Sequence, residues 1–340
     1  MGCSHTRFLA VFALVLAAAS AAGALDLSGQ AYLRYVDRGD VTCGPSSEFL
    51  VRRASVTAEA NLADNISVEL EVETRPNGAH LKDGLVTWLP WEQVELTLGL
   101  FKKPFCMATT TSNWRLLSVE RPLAHGLASD LGFSGRSVGA MALFAPSMPL
   151  DPELSVGVFN GPGSDRERLY TALLEVAPFS DLSIGAGFAS LRVGEPDPMQ
   201  PSGYIVSDRL QAMSSHFRFR KWITGNNRLT VEGEFMRGDN WREADVIYGQ
   251  EPPSFRTCWF SGLFERRLRD VPGIRSLEAG LSWSSMVPET DRDEESTVFA
   301  PMLGVLVTSN ARLRLTLINR TFSDGTQGYS DYMAEVGVRF

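Results

Sequence analysis

From residue 25 onward the chain alternates between apolar and polar positions. Ile66, Val68, Leu70 and Val72 are interleaved with Ser67, Glu69, Glu71 and Glu73, and Leu313, Leu315 and Leu317 with Arg312, Arg314 and Thr316. A period of two puts the two sets on opposite faces of a β-strand. Bounded by their turn residues, such segments predict sixteen strands, near 26–36, 49–62, 65–75, 80–89, 92–102, 135–145, 151–160 and 167–178 in the first half of the chain. The rest fall near 180–192, 207–222, 226–237, 255–267, 273–285, 297–308, 310–322 and 329–340. A helical period appears nowhere at comparable length outside the connection 103–134. Two strands fit less well. "RTCWFSGLFERR" has no clear phase, and Pro301, which lacks a ladder donor, predicts a bulge.

The connections sort by parity. Those after the second, fourth, eighth, tenth and fourteenth strands are tight, whereas those after the odd-numbered strands include long ones such as "DRGDVTCGPSSE" and "MVPETDRDEES". An even strand count with short turns on one side and longer loops on the other is the layout of a transmembrane antiparallel β-barrel of the outer-membrane type. Closure also accounts for the last segment, "GYSDYMAEVGVRF", because a closed barrel pairs the final strand with the first and leaves no edge. The apolar set then faces lipid. The other set, with Glu69, Glu71, Glu73, Arg218, Arg220, Arg312 and Arg314, is too charged for a dry core and predicts a wet lumen.

The ends of the chain agree with export. Residues 1–24 carry Arg7, the run "FLAVFALVLAAA" and a closing Ala-Gly-Ala, which reads as a cleaved signal segment before a barrel over 25–340. The terminal Phe340 is expected at the periplasmic rim with Trp91, Phe179 and Trp222, and as the aromatic signal read by the outer-membrane assembly machinery. A net charge of −8 disfavours a nucleic-acid partner. Beyond residue 24 there are Cys43, Cys106 and Cys258, an odd number that allows one disulfide at most. His80, His125 and His216 have no metal spacing, and no nucleophile elbow or phosphate loop is present, so the chain reads as a non-enzyme without cofactor.

One connection differs from the rest. Residues 103–134 are long and apolar, with Leu116, Leu117, Leu123 and Leu127, and as the third long loop they are expected to fold into the lumen as a constriction. Arg115, Glu120, Arg121 and Asp130 would sit at its narrowest part, with Arg53, Arg136 and His216 also lining the pore. The second to fifth strands, with Glu59, Glu69, Glu71, Glu73, Asp83 and Glu95, form an expected acidic wall; Arg218, Arg220, Arg312, Arg314 and Arg320 form a separate basic arc.

The segments "VRRASVTAEANLADNISVELEVE" (51–73), "LKDGLVTWLP" with "VELTLGLFKKPF" (81–105), "SVERP" (118–122), "GRSVGAMALF" (135–144) and "VFNGPG" (158–163) resemble the phosphate-selective porin O and P family. That resemblance covers most of the first half and implies a sixteen-stranded, trimeric outer-membrane porin of Gram-negative type. It does not carry phosphate specificity. The reading is therefore passive diffusion of small hydrophilic solutes, with a path for small anions such as phosphate. The alternative is a surface structural or adhesive barrel with an occluded lumen.

Overall fold

The computed structural model describes residues 25–39, 47–76, 78–162, 167–192, 209–240, 253–269, 271–288 and 295–340. The expected signal segment, Cys43 and most of the acidic run 291–296 lie outside them. The strands are β1 (Leu25–Asp37), β2 (Ser47–Ala63), β3 (Ile66–Arg75), β4 (Gly78–Trp91), β5 (Val94–Lys102), β6 (Arg136–Phe144), β7 (Glu153–Asn160) and β8 (Arg168–Phe179). They continue with β9 (Leu182–Arg192), β10 (Arg209–Thr224), β11 (Asn227–Asp239), β12 (Ser254–Arg267), β13 (Ser276–Val287), β14 (Ser296–Thr308), β15 (Ala311–Phe322) and β16 (Tyr329–Arg339). Each pairs antiparallel with its sequence neighbours, and β1 pairs β16 from Gln30↔Arg339 to Asp37↔Tyr332, closing the barrel. Closure matters in a bilayer, where each unsatisfied backbone group costs several kcal/mol. Among the described residues no helix is long and apolar enough to cross a membrane.

The two faces differ as the alternation requires. Leu27, Leu33, Leu98, Leu303 and Leu315 are exposed on the outside, while Glu71, Glu73, Glu232, Glu278, Arg314 and Glu335 are buried within the barrel. At the edge where the even-numbered strands end, Trp91, Phe179 and Phe340 are exposed. The Phe340 N–H donates to the Gly29 carbonyl at 3.0 Å, and the Gly29 N–H donates back at 3.1 Å. The Phe340 ring covers Gly29, where an added Cβ would stand 2.4 Å from it. Trp222 differs from the other rim aromatics. It shares the phase of Arg218 and Arg220, and Arg267 stacks 4.0 Å from its ring centroid.

Two bulges reverse the simple alternation. In β2, Tyr32 pairs with Arg53 and Leu33 with Val51, so Arg52 is an extra residue in a bulge. In β4, Glu71 pairs with Asp83 and Val72 with Leu81, so Lys82 is another. Each bulge reverses the phase of its strand and turns two adjacent charged residues toward the interior. Pro301, by contrast, pairs with Leu281 without a register shift; the β14–β15 shift falls between Leu306 and Thr308. The carbonyl of Pro301 accepts the Thr316 hydroxyl at 2.8 Å.

Candidate functional site: a charged cavity beside the long connection

The connection between β5 and β6 folds into a short helix, α1 (Met107–Thr110), a 3₁₀ turn (Asn113–Arg115) and a second helix, α2 (Leu123–Asp130). It is held on one side by apolar packing. Phe105, Cys106, Ala124, Ala128, Leu131 and Phe133 are almost fully buried, against Phe159 of β7, Leu169 of β8, Leu191 of β9, Leu210 of β10, Met236 of β11 and Phe255 of β12. This packing explains the unclear phase of β12. Phe255, Trp259 and Leu263 are buried inward against the connection, while Phe260 and Phe264 are exposed outward, so both faces are apolar.

Polar contacts fix the same segment. Glu234 of β11 accepts the backbone N–H groups of Met107 at 2.6 Å and Ala108 at 2.9 Å, and the Trp259 indole N–H at 3.0 Å. Ser214 donates to the Phe105 carbonyl at 2.6 Å. Gly187 of β9 permits this approach, since a Cβ there would lie 1.9 Å from the Phe105 oxygen. On β15, Arg314 donates to the carbonyls of Leu116 at 2.7 Å and Ser118 at 3.1 Å, and Arg312 donates to that of Trp114 at 3.2 Å. Buried Arg34 of β1 completes the ring, bonding both Glu120 of the connection and Glu335 of β16.

Between the connection and the wall of β2–β6 lies a cavity of about 450 Å³. Its carboxylates are Glu71, Asp83 and Glu120. Two of them are matched within the wall: Lys82 lies 2.7 Å from Glu71, and Arg136 forms a fork on Asp83 at 2.8 and 2.9 Å. Arg75 is held by Glu73 at 2.6 Å. The further cations Arg52, Arg53, Lys102 and Arg121 leave the lining with a surplus of positive charge. Two of these are oriented by the connection: Lys102 donates to the carbonyls of Thr110 and Thr111, and Arg121 to those of Ala108 and Thr111 and to the Asn113 side chain.

Groups on the connection register the resulting potential. Burial, followed by the cations Arg121, Lys102, Arg136 and Arg53, pushes the His125 imidazole down to about 3, so it is neutral at ordinary pH. Burial opposes ionisation of Glu120, yet Arg34 and Arg52 hold its carboxyl below the usual range. One carboxylate oxygen from each of Glu69, Glu71 and Asp83 lies within 4.8 Å of the others. With Lys82 and Arg136 already on two of them, the group is an ion-pair network and lacks the oxygen-only shell that Ca²⁺ prefers.

The structure redistributes the expected pore-lining residues. Arg53, Glu71, Glu120, Arg121 and Arg136 meet at the cavity, and Glu69 stands one inward step below Glu71 on β3. The expected acidic wall is a mixed one with a basic excess, because the bulges bring in Arg52 and Lys82. The expected basic arc is largely matched. Arg218 lies 2.9 Å from Glu232, Arg312 lies 2.7 Å from Glu278, and Arg314 is spent on carbonyls of the connection. Arg220 remains exposed, with Arg115 also exposed and near enough to bear on its charge. His216 is buried 3.0 Å from Glu175, behind the connection rather than on the pore surface, and Asp130 is exposed at the end of α2, away from the cavity. Cys106 and Cys258 carry free thiols.

No family model matches the chain, and no curated protein does. Among solved structures it is similar to OprB of Pseudomonas putida, with a TM-score of 0.69 at 9% identity over 96% of each chain. It is also similar to the anion-selective porin of Comamonas acidovorans, with a TM-score of 0.62 at 10% identity over 93% of this chain and 99% of that one. OmpT of Vibrio cholerae in its trimer form aligns with a TM-score of 0.58 at 13% identity, over 93% of this chain and 99% of that one. At these identities the likeness is one of fold: the closed sixteen-strand barrel of outer-membrane porins.

Proposed function

We propose that the protein is an outer-membrane porin that lets small hydrophilic solutes diffuse passively, with a basic passage beside the long connection that favours small anions. The observation that carries this reading is the charge excess of the cavity lining. Three carboxylates face seven cations there; Lys82, Arg136, Arg75 and, at 3.9 Å from Glu120, Arg52 are in ion pairs, which leaves Arg53, Lys102 and Arg121 as the excess. Selectivity follows local potential at the narrowest part of a pore, so an acidic protein can still favour anions. Guanidinium groups stay charged at any relevant pH and present forked donors to oxyanions. Phosphate belongs to that chemical class. The trimer form of one structural neighbour, the O and P family resemblance and the anion selectivity named for another neighbour all support the same reading.

The reading extends to assembly, with Leu25 as the first residue after signal cleavage and Phe340 as the terminal aromatic recognised during insertion. Planar-bilayer recording of the purified protein tests the channel itself. Discrete current steps, lowered in chloride when inorganic phosphate is added, are expected. A folded protein that passes no current would instead establish the occluded, structural barrel.

A further inference from the structure

The charged cavity is larger, and chemically more mixed, than a bare oxyanion needs. Its volume of about 450 Å³ lies within the ~300–1,000 Å³ usual for small organic ligands, whereas a water molecule takes up ~30 Å³ of liquid. Two kinds of group line it. The first is cationic. The carboxylates facing this space are already engaged, Glu71 by Lys82, Asp83 by Arg136 and Glu120 by Arg34. Arg53, Lys102 and Arg121 have no carboxylate of their own. Lys102 and Arg121 spend only part of their donors on the connection. Arg53 stands 5.9 Å from the Tyr32 ring centroid and has no hydrogen-bond partner among the described residues. Arg53 and Arg136 both act on the charge of Arg121, so these guanidinium groups lie around one part of the cavity.

The second kind is neutral and polar, with hydrogen-bonding capacity left over. Gln30 of β1 accepts the Tyr32 hydroxyl at 3.1 Å, and Asn113 accepts Arg121 at 2.9 Å; each retains an amide NH₂. Ser112 is exposed beside them. His125 is neutral there, and its Nδ1 lies 3.1 Å from the Thr109 hydroxyl, which the Cys106 thiol meets at 3.3 Å. Nε2 is the nitrogen left for a ligand. Because the Thr109 hydroxyl can rotate, this relay runs in either direction and lets Nε2 donate or accept. A sugar hydroxyl also does both.

We propose that the cavity is a binding site for a phosphorylated sugar, with its phosphate on Arg53, Lys102 and Arg121 and its hydroxyls on Gln30, Ser112, Asn113 and His125. Three surplus cations match a phosphate monoester, with ~1.5–2 negative charges and three acceptor oxygens, better than a single carboxylate. Inorganic phosphate engages the cations and leaves the neutral groups to water. A free sugar does the reverse. The inference rests on the anion-favouring passage proposed above and names the solute class that it takes.

Ligand-detected NMR titration of the folded, detergent-solubilised protein at low salt tests it with three probes: glucose 6-phosphate, glucose and inorganic phosphate. Glucose 6-phosphate should bind about tenfold tighter than inorganic phosphate, and free glucose more weakly than either. Arg53→Gln should weaken both phosphates. Ser112→Ala with His125→Phe should erase the advantage of glucose 6-phosphate over inorganic phosphate. Heat-modifiable gel migration verifies that each variant is folded; if the double variant is not, Ser112→Ala alone, at an exposed position, should narrow the advantage. Equal affinity for the two phosphates in wild type, an advantage undiminished in the folded variants, or glucose binding as tightly as its phosphate would overturn the proposal. An anion-selective current without that advantage would overturn this inference alone. Cation preference with binding of neither phosphate would overturn the anion reading on which it rests.

Discussion

The inner wall has two unlike halves. Along β7–β12 it is dry: aromatic and aliphatic side chains clamp the long connection, and Glu234 satisfies two of its backbone N–H groups. Along β2–β6 it is wet, and charged residues face a cavity that the same connection leaves open. One segment thus packs as core on one side and borders a charged cavity on the other. The difference shows how a barrel too wide to fill with its own side chains can be narrowed: a connection enters it, apolar burial anchors that connection on one side, and the charged wall opposite keeps an open cavity.

Disrupting the dry half should have the largest effect. Gly187→Ala places a Cβ where the Phe105 carbonyl now lies, so either β9 or the connection must move. Glu234→Ala leaves two buried N–H groups and the Trp259 indole without their acceptor, at a cost of about 2–4 kcal/mol. Both variants should lower the temperature at which the folded band is lost on gels, and raise current noise as the connection loosens. Wild-type melting and quiet currents in both would show that the dry half does not hold the connection in place.

A second, smaller effect belongs to the wet half. Arg52→Glu with Arg53→Glu should move the reversal potential toward cations without lowering stability to the same degree, since both arginines border the cavity and remain partly exposed. Arg218→Gln or Arg312→Gln should shift it less, because each already faces a carboxylate, Glu232 or Glu278. Equal shifts from the two sets would place the conducting path along the matched arginines instead.

What was legible in the sequence follows the same division. Lipid outside and water inside impose a strict period of two, so all sixteen strands could be placed, the start of β13 at Ser276 rather than 273 being among the larger differences. The phase failed where the physics changed. At Arg52 and Lys82 a bulge inserts one residue, and the trace it leaves is a pair of adjacent charges, "RR" and "KD", inside an alternating run. In β12 the inner face packs on protein, so alternation of polarity vanishes although alternation of direction persists. Pairing between Arg218 and Glu232, or Arg312 and Glu278, joins residues far apart in sequence or on different strands, and period alone does not reveal it.

The smallest effect concerns His125. Its imidazole sits at about 3 because burial and four nearby cations oppose a further positive charge. Protonation is thus expected only well below neutrality, and bound phosphate should raise that value by offsetting the cations. Histidine ring resonances followed by NMR against pH, with and without phosphate, would measure both. A titration near the ordinary histidine value of ~6.5, unmoved by phosphate, would contradict the buried, cation-flanked setting of His125.

The zero-current potential of the wild-type channel across a salt gradient tests the central claim most directly. It is best measured at low ionic strength, where screening is least. The account predicts a potential with the sign of anion preference, displaced toward cations by Arg52→Glu with Arg53→Glu. A potential with the sign of cation preference, unmoved by that pair, would contradict it.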